Sequence, residues 1–114
     1  MKGLIGTGGR ILGYLQNVDE KLLRNYLQPP VVEIVDIDRV PDTDSEYWDG
    51  GRLAGRKDYQ LNSLPLPCTV YIEGHEYRCH EQPEFVFDAP GTYQIFVDAG
   101  PQYLEKVFEY DYQP

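Results

Sequence analysis

The sequence predicts a mainly β protein: a small N-terminal β-meander with one short helix, followed by an antiparallel β-sandwich. Three observations carry that expectation. Tyrosine dominates the aromatic residues, with ten Tyr against four Phe and one Trp, and a tyrosine ring suits a half-buried strand because it packs while its hydroxyl stays wet. Nine Pro and eleven Gly supply many turns. From Tyr59 onward, short runs alternate apolar and polar residues between turn residues, the period of a strand buried on one face.

The N-terminal lobe is expected over residues 1–57. Its first stretch, "LIGTGGRILGYLQ" at 4–16, can be read as a phosphate-cradling glycine loop or as a tight turn between strands. A dinucleotide loop needs glycine at its sixth position, where this chain has Ile11, and a helix that begins at the loop. The first helix-capping signal comes only at Asn17, and no P-loop lysine is present. A hairpin is therefore expected, with 2–5 leading up, 6–9 turning and 10–15 returning. In "NVDEKLLRNYLQPP", Asn17 and Glu20 have capping-box spacing. Leu22, Leu23, Tyr26 and Leu27 form one apolar stripe, and Pro29 and Pro30 stop the helix. "VVEIVDID" at 31–38 follows as a strand. "EYWDGGRLAG" reads as a hairpin, with Tyr47 and Trp48 before the turn at Asp49, Gly50 and Gly51, and Leu53 after it.

The C-terminal lobe is expected over 58–114, with strands at 58–62, 68–72, 76–80, 84–88, 92–99 and 103–112. A two-residue turn at Glu73 and Gly74 sets the register of one pair: Ile72 faces His75, Val70 faces Tyr77 and Cys68 faces Cys79. Both thiols then lie on the apolar face. A cross-strand bridge at this position is strained, and a cytosolic protein keeps its thiols reduced, so two free cysteines are expected. Tyr93, Ile95 and Val97 share one face of their strand; Phe108, Tyr110 and Tyr112 share one face of theirs, opposite Val107.

Composition excludes several functions. The formal net charge is −9, from 19 acidic and 10 basic residues. A nucleic-acid binder needs a concentrated positive face, and the basic clusters (Arg52, Arg56 and Lys57; Lys21 and Arg24) are small and set among acids. No apolar run is long enough to cross a bilayer and no signal peptide opens the chain, so a soluble protein without membrane insertion is expected. Cys68, His75, Cys79 and His80 lack a usual zinc spacing, and His80 falls on the opposite strand face. Asp42, Asp44 and Glu46 match the start of a calcium loop, but Tyr47 and Leu53 stand where its glycine and bidentate acid belong. Ser45 and Ser63 lie in no nucleophile-elbow context. The expectation is no catalytic residue, no cofactor and no metal.

The stretches "SEYWDGGRLAGR", "LPLPCTVYIEGHEY" and "FVFDAPGTYQIFVDAGPQYLEKVFEYD" resemble small tail-associated structural proteins of tailed bacteriophages, those found beside tail-tip and fibre genes. The matching elements are 9–14, 47–56, 64–77 and 90–93, and the resemblance extends over most of the chain. The resemblance implies an immunoglobulin-like C-terminal lobe and a virion tail component made in the host cytoplasm. It also implies phage tail or fibre proteins as partners, and a homo-oligomer, trimer or ring, on the tail axis. It carries no catalytic residues to this chain. The aromatics exceed what one small core needs, and Tyr47, Trp48, Tyr71, Tyr103, Tyr110 and Tyr112 are the candidate interaction surface. Two other functions fit the composition: a small acidic phage regulator that blocks a host or rival protein, and a carbohydrate-binding adhesin module using Trp48 and tyrosines.

Overall fold

The computed structural model describes residues 1–114 and is mainly β, with every strand pair antiparallel. The chain divides into two units, Met1–Arg56 and Lys57–Pro114. No helix is long and apolar enough to cross a membrane.

In the first unit, β1 (Lys2–Ile5) is the middle strand of a three-stranded sheet, flanked by β2 (Ile11–Leu15) and β3 (Glu33–Asp36). The glycine stretch is a hairpin. Its turn is a single 3-10 turn at Thr7–Gly9, closed by the Gly9 amide donating to the Gly6 carbonyl. The sheet runs β1 antiparallel to β3, the opposite of the parallel pair that a βαβ nucleotide fold requires. Ile5, Ile11 and Ile37 are the buried core. Lys2 lies opposite Asp36 in the ladder and is ion-paired to it. The expected second hairpin forms as β4 (Glu46–Trp48) and β5 (Leu53–Gly55), with Trp48 opposite Leu53. The Asp49 carboxylate caps its turn by accepting from the Gly51 and Arg52 amides, and these bonds hold its pKa below the usual range.

The helix is shorter and tighter than the apolar stripe suggests, a 3-10 segment at Glu20–Tyr26. Asn17 does not cap it. Its φ of 54° is left-handed, whereas a capping residue is extended. Asp19 takes that role, accepting from the Lys21 amide at 2.9 Å. Leu22, Tyr26 and Leu27 stay exposed, because no element of the unit covers the stripe. Without burial, the apolar period alone does not hold an α-helix of this length.

The second unit holds one four-stranded sheet: β6 (Cys68–Ile72), β7 (His75–Cys79), β8 (Gly91–Asp98) and β9 (Lys106–Tyr112), in the order β7-β6-β8-β9. The Glu73-Gly74 turn sets the expected register, with Ile72 opposite His75 and Cys68 opposite Cys79. Both turn residues have positive φ, 50° and 78°, the mark of a hairpin turn whose twist suits its strands. Cys68, Val70, Ile95 and Val97 form the buried core on one sheet face, joined by Tyr59 and Leu64 from the preceding loop.

The structure shows no second sheet to complete a sandwich. Residues 58–62 and 84–88, expected as strands, are extended or turned segments laid across the core face. The first is bent by a turn in which the Ser63 amide donates to the Gln60 carbonyl. The second is a strap whose Phe85 and Phe87 rings pack on Tyr110 and Tyr93, with Phe87 and Tyr93 stacked at 3.7 Å. The Gln82 side-chain amide fastens the start of the strap. It donates to the Leu64 carbonyl at 2.8 Å and accepts from the Leu64 amide at 3.0 Å. Gln82→Ala leaves both groups of a buried residue unpaired, so chemical denaturation is expected to show a loss of about 1–3 kcal/mol.

Candidate functional site

The strap packs mainly over β8 and β9. It leaves an open cleft of about 460 Å³ between itself and the core face of β6 and β7. The hairpin register builds its floor, because alternation sends Val70 and Ile72 of β6 and His75, Tyr77 and Cys79 of β7 to the same side. Phe85, Val86 and Phe87 form the facing wall. Val86 is 74% exposed and Tyr77 is 51% exposed, large values for side chains beside an apolar floor. Glu73, Glu84 and Asp88 are among the residues lining the cleft, and no Lys or Arg is.

Cys68, beneath the floor, is buried and directly opposite Cys79, and both are free thiols. Burial, reinforced by the neighbouring Cys79, pushes the Cys68 thiol up to about 11, so it is not a thiolate nucleophile near neutral pH. Brief maleimide treatment of the folded chain at pH 7.5 is expected to label Cys79 alone. Cys68 is expected to react only after denaturation, and mass spectrometry of tryptic peptides separates the two sites. No group of His, Cys, Asp and Glu side chains converges in an arrangement able to hold a metal ion.

The acid-dense loop of the first unit uses its carboxylates internally. Both Glu46 carboxylate oxygens accept from Arg39, and one of them also takes the Asp42 amide at 2.9 Å. The Arg39 bonds, then the Asp42 amide, lower the Glu46 pKa to about 2. A carboxylate depressed on folding stabilises fully above its unfolded value, near 4.5, and that contribution disappears as pH falls through about 2. Glu46→Gln is therefore expected to cost about 1 kcal/mol at pH 7, in the range of a partly exposed ion pair. The difference from the parent should shrink as pH falls from 4.5 and vanish only below pH 2 in urea titrations read by fluorescence.

The candidate aromatic residues divide between the two units, and those of the second unit divide between its two sheet faces. Tyr47 and Trp48 sit half-buried in β4 of the first unit. Tyr71 lies on the outer face of the second unit's sheet, against Phe96 at 5.6 Å. Tyr103 packs on Tyr59, Tyr110 on Phe85 and Tyr112 on Phe87, so these three are committed to the core face of their own unit. The cleft residues Tyr77 and Val86 were legible only in part. Alternation places Tyr77 on the core face, but its exposure follows from how far the strap reaches.

No family model, no curated protein and no solved structure matches the chain.

Proposed function

We propose that the chain is a non-enzymatic structural component of a bacteriophage tail, associated with the tail tip or fibre, and that it works by protein–protein contact. The motif stretches 9–14, 47–56, 64–77 and 90–93 support the tail assignment through their resemblance to tail-associated proteins. Contact as the mode of action rests on one observation: Tyr77 and Val86 stand exposed on opposite sides of a cleft with an apolar floor. Exposed apolar residues lining one concavity favour an occupant. The tail context favours a homo-oligomer on the tail axis, a trimer or ring, with tail or fibre proteins as neighbours.

The test is quantitative mass spectrometry of purified phage particles. The reading expects the chain at a fixed stoichiometric ratio to the tail proteins. Detection only in the infected-cell lysate, and never in particles, would overturn it. A blocking protein that imitates nucleic-acid charge is less well supported. The outer sheet face carries the apolar row Tyr71, Phe96 and Val107 between its acids, whereas a mimic needs acids spread evenly over one face.

A further inference from the structure

We infer that the cleft between β7 and the 83–89 strap receives an extended segment of another protein in which Lys or Arg flanks a large apolar side chain. This deepens the contact reading above and rests on it. The apolar part follows from the floor, where Val70 and Ile72 underlie the space bounded by Tyr77 and the strap phenylalanines. A volume of about 460 Å³ admits a few side chains and is too small for a folded element. The basic part follows from charge. Glu73, Glu84 and Asp88 line the cleft and no Lys or Arg does, so an occupant that brings cations gains where an acidic one is repelled. A second copy of this chain, itself at −9, is the poorer partner on the same ground. The extended form follows from position. β7 is the edge strand of its sheet and hydrogen-bonds only to β6, so its outer backbone groups can take another strand while the cleft takes alternate side chains.

The experiment uses the isotope-labelled full chain and two short synthetic peptides, one alternating Val with Lys and the other alternating Val with Glu. Amide chemical shifts are followed on titration. The Val–Lys peptide is expected to move amides of 70–79 and 84–89 and to leave those of β9 and of the first unit in place. The Glu84→Gln/Asp88→Asn double variant, changed only at exposed side chains, is expected to weaken this binding about tenfold at low salt. Equal response to both peptides overturns the inference, as does no saturable shift. So does a response centred on Tyr71, Phe96 and Val107 of the outer face. Particle composition is an independent readout: a chain present in particles that ignores the peptide sinks only the cleft, and a chain absent from particles that binds it sinks only the tail assignment.

Discussion

Gly9→Ala is expected to unfold the first unit or to destabilise it by about 3 kcal/mol or more. Two separate costs meet at this residue. Its φ of 93° lies in the left-handed region, where a side chain costs about 1–2 kcal/mol. A Cβ there would also stand 2.1 Å from the Trp48 carbonyl oxygen, a backbone atom that cannot swing aside as a side chain can. Relief requires moving β4 away from the glycine turn. The hairpin neighbours separate the two causes. Gly50 has a φ of 102° with open space around it, so Gly50→Ala is expected to cost about 1 kcal/mol from the backbone alone. Gly55 has neither constraint, and Gly55→Ala is expected to fall within about 0.5 kcal/mol of the parent. Trp48 is the only tryptophan, so its fluorescence reports this unit's unfolding directly.

The second large effect is expected in the other unit. Ile95 is 0% exposed in the interior strand β8, with Ile72 opposite it on β6 and Phe108 opposite it on β9. Ile95→Ala removes buried carbons and leaves a cavity that strands bonded on both sides cannot close, so a loss of about 2–5 kcal/mol is expected. Gln94, the preceding residue, points to the other face and is exposed. Gln94→Ala is expected to stay within about 0.5 kcal/mol, measured in the same urea titrations by far-ultraviolet circular dichroism. If the two substitutions cost the same, the alternation on which this sheet is built is not what buries its core.

Local patterns are legible in the amino-acid sequence where a turn fixes their geometry. The Glu73-Gly74 turn leaves one register that buries Cys68 and Val70, and the structure has that register. Gly8 and Gly9 supply the positive φ that the first hairpin needs, so the hairpin reading of that stretch stands. What fails is the inference from pattern to partner. Residues 84–88 alternate as a strand does, and Phe85 and Phe87 do point inward, but a strand also needs a neighbour to pair with. Its expected neighbour, 58–62, is folded into a turn, and the strap lies over the sheet face, so it buries its rings without joining a ladder. The stripe from Leu22 to Leu27 likewise has the right period and nothing to cover it. The cleft was hidden for the same reason: it is the part of the sheet face that the strap does not reach, and no periodicity encodes that reach.

Hydrogen–deuterium exchange of the full chain tests this arrangement most directly. A single sheet closed by an unpaired strap predicts strongly protected amides at 69–72 and 94–97, with fast exchange from 84 to 89. Protection at 84–88 equal to that of β8 would mean a second sheet stands over the first, and would remove the cleft on which the proposed contact depends.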